Sequence, residues 1–334
     1  MKKLLKMTSV LLMLLTTAIL TTACGHDSHD SGYIYFPIAN RTVEIAFNDA
    51  AIDQLYSIGL ATNDSAHKNE ITEITIPESY TIGGLTYKIT KISKDAFSGC
   101  TSLKSIVIPG SVVEIEDGED FDEDEGEQED DVKCGAFSNC TGLESVEIQG
   151  NGLRIIGDYA FYNCTSLSNI NIPSGVRTIG KQSFCNCVGI TALELPDTLV
   201  EIKEAAFSFC SSLASINLPE GLEIIEEEAF LDCSALTEIA IPMGITSIEE
   251  ETFYNCSALT SVSIPNTVTI IDEEAFSNCT ALASVDVPDS VTTIREMSFL
   301  NVPEVRVNFA RLDNQSKLLS PWGAVNAIDK SIQN

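Results

Sequence analysis

The chain has 334 residues, 49 acidic against 19 basic, and a formal net charge of −30. That balance excludes a nucleic-acid binder built on clustered Lys and Arg, and an electrostatic grip on anionic lipid. Apolar residues make up 44%, ample for a core. All three histidines (His26, His29, His67) lie near the N-terminus, which denies imidazole chemistry to the last four-fifths of the chain.

Lys2, Lys3 and Lys6 precede an apolar run from Thr8 to Leu20, and Thr21-Thr22-Ala23-Cys24 closes it with small residues. A helix of that length spans about 20 Å, short of a bilayer core of about 30 Å, so residues 1–23 read as a secretory signal peptide. The closing run resembles the bacterial lipobox, with Leu20 one place earlier than that motif has its Leu and Thr21 in its place. The resemblance implies acylation of Cys24 and an outer-membrane or cell-surface lipoprotein, held to the membrane by its lipid alone. Residues 24–32 are small and polar and read as a tether. His26 and His29 are its metal-ligand pair, but a tether has no scaffold to fix coordination geometry.

Tyr33–Phe47 alternates, with Val43, Ile45 and Phe47 set against Thr42, Glu44 and Ala46, as a strand does. Asp49–Leu60 has an acidic start and apolar residues at Ala51, Ile52, Leu55 and Ile58, which predicts a short helix. Residues 33–69 are expected to cap the N-terminal end of the main domain, where unpaired strand edges invite aggregation.

A fixed period then runs over residues 70–302. Phenylalanines stand at Phe97, Phe137, Phe161, Phe184, Phe207, Phe230, Phe253, Phe276 and Phe299, spaced by 23 after gaps of 40 and 24. Cys100, Cys140, Cys164, Cys187, Cys210, Cys233, Cys256 and Cys279 each stand three residues after a Phe, and Val302 replaces Cys at the last register. Pro77, Pro109, Pro173, Pro196, Pro219, Pro242, Pro265 and Pro288 mark the same period. Nine registers make a solenoid. Within one unit, Val262 and Ile264 alternate with Ser261 and Ser263 as a short strand, and Pro265 stops it. Val268 and Ile271 turn a second apolar face inward, and Glu273-Glu274-Ala275-Phe276 suits one helical turn, with Phe276 plugging the core. Two residues after each Phe the column reads Gly99, Asn139, Asn163, Asn186, Phe209, Asp232, Asn255, Asn278, which predicts a left-handed backbone there.

The unit Ile-Pro-x-x-Val-x-x-Ile-x-x-x-Ala-Phe-x-x-Cys-x-x-Leu-x-x-Ile resembles the BspA-like branch of the leucine-rich repeat superfamily, known from bacterial surface proteins. The resemblance implies a right-handed coil of about nine repeats, with parallel strands on its concave face and short helical turns or strands on its convex face. It also implies binding or adhesion to another protein, a host matrix or bacterial surface protein, rather than catalysis. Residues 303–334 are expected to form a C-terminal cap in which Val305–Phe309 packs near Trp322.

The outward strand positions form two columns, Glu73, Ser105, Ser145, Asn169, Ala192, Ser215, Glu238, Ser261, Ser284 and Thr75, Val107, Glu147, Asn171, Glu194, Asn217, Ala240, Ser263, Asp286. Their polar members Glu73, Glu147, Asn169, Asn171, Glu194, Asn217, Glu238 and Asp286 are the candidate binding residues. None is aromatic or basic, the types that anchor protein hot spots. The column cysteines read as buried thiols, since neighbours in a stack have parallel Cβ vectors and no C-x-x-C pair occurs; Cys134 and Cys185 lie off the column. An acidic insertion occupies residues 116–132, with twelve carboxylates between Glu116 and Asp131. It reads as a self-repelling loop, as an electrostatic lure, or as a weak Ca²⁺ site through Asp120, Asp122, Asp124 and Asp131. For the last of these the glycine, Gly126, comes one place late. No other cofactor is expected. A structural part in a surface assembly is the second functional reading, and a carboxylate-dependent hydrolase the remote one.

Overall fold

The computed structural model describes residues 32–38, 41–47, 56–60, 71–82, 85–94, 96–118 and 135–332. Each 23-residue period closes one coil with three walls, and the coils stack. On the first wall, short strands pair in parallel: Ser105↔Ser145, Asn169↔Ser145, Ala192↔Ser215, Glu238↔Ser261. The proline at the strand's end cannot donate to this ladder. Its carbonyl instead accepts the N–H three residues on, as in Val176 to Pro173 (3.1 Å) and Leu199 to Pro196 (3.0 Å), and this tight turn swings the chain onto the second wall. There a second parallel ladder forms, Ile155↔Thr178, Thr178↔Glu201 and Glu201↔Ile224. In each of these pairs one residue is outward and the next, Ile156, Ile179, Ile202 or Ile225, is buried.

The third wall carries the Phe column, and here the expected helical turn does not form. Of the two alternatives for this side, bonding between coils wins. The N–H groups of Glu251, Phe253 and Asn255 donate to the carbonyls of Glu273 (3.0 Å), Ala275 (2.9 Å) and Ser277 (2.8 Å) on the next coil. A helix would direct those N–H groups back along its own turn. Sending them along the solenoid axis instead requires left-handed backbone twice per coil. Asn163, Asn186, Phe209, Asp232, Asn255 and Asn278 have φ between 56° and 62°, as the Gly/Asn column predicts. A second left-handed column, Tyr159, Gln182, Ala205, Glu228, Glu251, Glu274 and Met297, lies two residues before each Phe.

The core is the stack itself. Successive Phe rings from Phe97 to Phe299 lie 5.1–5.6 Å apart and within 14° of parallel, all buried. Beside them the column cysteines are buried thiols. From Phe97 to Phe253 each Phe carbonyl accepts twice: from the Cys N–H of its own coil (Cys210 to Phe207, 3.2 Å) and from the thiol of the next (Cys233 Sγ to Phe207, 3.2 Å). This is a physical reason for cysteine over alanine, since the S–H fills the carbonyl's second lone pair.

At the N-terminal end Gly32–Ile38 and Arg41–Phe47 form an antiparallel hairpin, and Tyr56–Leu60 pairs antiparallel with Arg41–Phe47 and parallel with Leu85–Ile92. The helix expected over Asp49–Leu60 is therefore wrong for residues 56–60, which are strand. Tyr56, Ile58 and Leu60 also fit a period of two, and the open edge of Leu85–Ile92 offers backbone partners that a helix cannot satisfy. At the other end Val305–Phe309 packs near Trp322 as expected, with the Phe309 and Trp322 ring centroids 5.8 Å apart. Trp322 falls 23 residues after Phe299 and is 1% exposed, and its carbonyl accepts the Phe299 N–H (3.0 Å), one residue later in the coil than the Ala275 and Ser298 carbonyls that accept from Phe253 and Phe276. Glu304–Val307 and Asn326–Asp329 extend the first wall by two parallel strands. The one α-helix among the described residues, Asn314–Leu319, is capped by Asp313, whose Oδ1 accepts the Ser316 N–H at 2.7 Å. Buried Ser316 in turn accepts the Ile294 N–H (2.8 Å), and its carbonyl takes the Trp322 indole N–H (2.7 Å).

Candidate functional site

The outward columns of the first wall lie where the strand alternation puts them: Glu73, Glu147, Asn169, Asn171, Glu194, Asn217, Glu238 and Asp286 are all exposed. They are not chemically equivalent. The Asn171 amide accepts the Ile148 N–H (3.0 Å) and donates to the Ile148 carbonyl (2.9 Å). Asn217 does the same to Leu195, at 2.7 and 3.1 Å. Both side chains stand in for a further ladder rung just where their two-residue strands end, so their polar groups are spent within the fold. Asp286 pairs with Lys330 at 2.6 Å, and Glu147 accepts from Gln149 at 3.1 Å. The second column continues past Asp286 to Arg306, a cation beyond the positions named from the sequence, which pairs with Glu304 at 2.7 Å.

The turn wall carries a different pattern. Side-chain amides of its left-handed column bond from coil to coil: Asn163 to Asn139 (2.8 Å), Asn186 to Asn163 (2.8 Å), Asn255 to Asp232, and Asn301 to Asn278 (2.7 Å). Phe209 interrupts this ladder between Asn186 and Asp232. It keeps the left-handed backbone (φ 59°) but has no amide, and its side chain is 47% exposed. Beside it opens a pocket of about 350 Å³ whose lining includes Tyr162, Asn186, Ala205, Ser208, Phe209 and Glu228. The Ser208 hydroxyl is buried there without a hydrogen-bond partner.

The pocket borders an acidic bank. Glu204, Glu227, Glu250, Glu273 and Glu296 succeed one another at the 23-residue period, and so do Glu228, Glu251 and Glu274. Burial raises the Glu228 carboxyl above the ordinary range, and the neighbouring charges of Glu204, Glu227 and Glu250 raise it further, with Lys181 opposing. Glu251 and Glu250 are raised in the same way, by burial first and then by facing carboxylates. Cations close part of the bank from one side: Lys181 pairs with Glu204 (3.1 Å) and Lys203 with Asp158 (3.3 Å).

The acylation candidate Cys24 and the calcium candidates Asp120, Asp122, Asp124 and Asp131 lie outside the described residues, as does Cys134. Of the insertion, Glu116, Asp117 and Gly118 are described and held to the stack: Asp117 accepts the Asp158 N–H (3.1 Å) and Gly118 donates to the Asp158 carbonyl (2.8 Å). Cys185, off the thiol column, is buried against the same pocket. Among the described residues no three His, Cys, Asp or Glu side chains come together as a metal site, and no helix is long and apolar enough to cross a membrane.

Solved structures similar to the chain include a leucine-rich cell surface protein from Faecalibacterium prausnitzii, 22% identical over 91% of this chain and 96% of that one, with a TM-score of 0.37. A leucine-rich repeat protein of T. pallidum is 19% identical over 89% and 96%, TM-score 0.45. The pneumococcal vaccine antigen PcpA is 19% identical over 89% and 86%, TM-score 0.47. No functionally curated protein matches the chain. The model of the BspA-type leucine-rich repeat region matches residues 63–119, 130–259 and 246–312 in six copies. The chain belongs to the BspA-type leucine-rich repeat family.

Proposed function

We propose that this protein is a lipid-anchored, non-catalytic scaffold at the cell surface that binds another protein. The observation that carries the reading is the unbroken outward presentation of two side-chain columns along the first wall, coil after coil, on a rigid stack. Such a surface adds small contacts across many repeats, which suits an extended macromolecular partner more than a small molecule. The leader and Cys24 supply the anchor in this reading. Immobilised residues 25–334, presented with matrix proteins and with whole-envelope extracts, test the binding. Capture of a defined protein supports the scaffold, and silence in both rejects it. Metabolic labelling with radioactive palmitate tests the anchor, with label expected in the wild type and lost in Cys24→Ala.

A second reading, a structural part of a surface assembly, is favoured by the chemistry of the same face. Serine and alanine hold six of the nine positions in its first column, and in the second Asn171 and Asn217 turn their amides onto the backbone. Capture from envelope extracts with no response to matrix proteins supports that reading.

A further inference from the structure

We infer that the Phe209 pocket on the turn wall is a receptor for an arginine side chain of a basic protein segment. The inference rests on the protein-binding reading above and gives it a place and a partner chemistry.

Three independent features meet at this point. The first is the exposed aromatic ring in a column otherwise made of Gly, Asn and Asp, where the lost amide leaves the ladder open between Asn186 and Asp232. Phe209 therefore gives up a coil-to-coil bond and shows water an apolar face. The second is the cavity of about 350 Å³ beside it, lined by Tyr162, Asn186, Ala205 and Ser208 as well as by Phe209. The third is charge. Glu228 lines the same cavity, half-buried, and Glu204, Glu227 and Glu250 press on it, so a cation placed there relieves repulsion as well as pairing with the carboxylate.

An arginine meets all three at once. Its guanidinium stacks on an aromatic face, pairs with a carboxylate and is weakly hydrated enough to enter a half-buried site, while its alkyl stem covers apolar surface. Lysine offers the charge without the planar face. The acidic bank of Glu251, Glu273, Glu274 and Glu296 beyond the pocket then attracts the further basic residues of the same segment and speeds its arrival.

The test uses the full chain and a fluorescent nonapeptide with three arginines, beside versions carrying lysine or citrulline in their place. Fluorescence anisotropy is expected to rank arginine above lysine above citrulline. Phe209→Asn supplies an amide to the ladder at a left-handed position, so it is expected to melt higher than the wild type. It should nevertheless bind the arginine peptide about fivefold more weakly, the scale of one partly desolvated cation–π contact. Glu228→Gln is expected to weaken binding in the same way without the rise in melting temperature. Equal binding by wild type and Phe209→Asn, equal binding of arginine and citrulline peptides, or no binding at all overturns the inference. Where the scaffold still captures a protein partner that Phe209→Asn does not diminish, this site is wrong and the protein-binding reading survives.

Discussion

Phenylalanine is the residue that converts a repeat into a continuous core. Each ring from Phe137 to Phe276 is covered on both faces by rings 5.1–5.6 Å away, so truncating one leaves a void that its neighbours, fixed by their own backbone bonds, cannot fill. Phe207→Ala is expected to cost about 3–5 kcal/mol, checked by urea denaturation; a loss under about 1.5 kcal/mol contradicts the stacked core. The thiols make a separate prediction. Burial pushes the Cys279 thiol up to about 12, and Cys187, Cys233 and Cys256 are also raised, with burial the main cause. The thiolate is the reactive form, so the column cysteines are expected to resist a thiol reagent at neutral pH until the chain unfolds. Rapid labelling of the folded protein at Cys210 or Cys233, mapped by mass spectrometry, contradicts this.

At the scale of elements, the two strand walls and the turn wall differ in how much of them the sequence displays. The first wall alternates plainly, and the Phe, Cys and Pro columns keep one residue type at one phase, so all were legible. The second left-handed column was not. Tyr159, Gln182, Ala205, Glu228, Glu251, Glu274 and Met297 share no chemistry, because bonds to the next coil impose their backbone and no preference of their own selects it. Tyr56–Leu60 misled for a related reason: a lone strand has no repeats to fix its period. Phe209 was visible as the odd member of its column, but its pocket depends on Tyr162, two coils before it, and Glu228, one coil after it, which no single repeat contains. Asn171 and Asn217 looked like ordinary solvated side chains and proved to be rungs. Asn171→Ala is expected to destabilise by about 1–3 kcal/mol, because the Ile148 N–H and C=O lose their partner; urea denaturation checks it.

The acidic bank belongs to the same scale and makes a pH prediction. For Glu228, Glu250 and Glu251 the folded state holds the proton more tightly than the unfolded chain does. The native state therefore binds more protons just above the ordinary glutamate pKa of about 4.3, and stability falls as pH rises through the raised folded values. Acidifying from neutrality toward that ordinary value is expected to raise the melting temperature, and so is added salt, which screens the repulsion. Asp313 works the other way. Its carboxyl is lowered by the Ser316 N–H it accepts, so its contribution is lost as pH falls below the ordinary aspartate range. A melting temperature that peaks between these two limits is the expected profile, and a monotonic rise with pH contradicts it.

For the whole molecule, stability is shared between neighbouring coils. Deletion of residues 119–131 keeps Asp117 and Gly118 on Asp158 and is expected to leave the melting temperature nearly unchanged. Calorimetric titration of the intact chain with Ca²⁺ tests the insertion itself: heat that disappears in the deleted form places a calcium site there, and no heat at millimolar Ca²⁺ removes it.

The short distance between stacked rings also has a mechanical consequence. A folded coil occupies about 5 Å of axial length, judged by the spacing of its ring from the next. Once detached, its 23 residues reach about 80 Å at full extension. A pull on the two termini therefore has a soft response available, because peeling one coil from the end of the stack lengthens the molecule by roughly fifteen times the height that coil had, while every coil behind it stays bonded. Stretched in optical tweezers, the protein is expected to yield in steps of that size and to re-form on slackening, a shock absorber whose unit of travel is the 23-residue period.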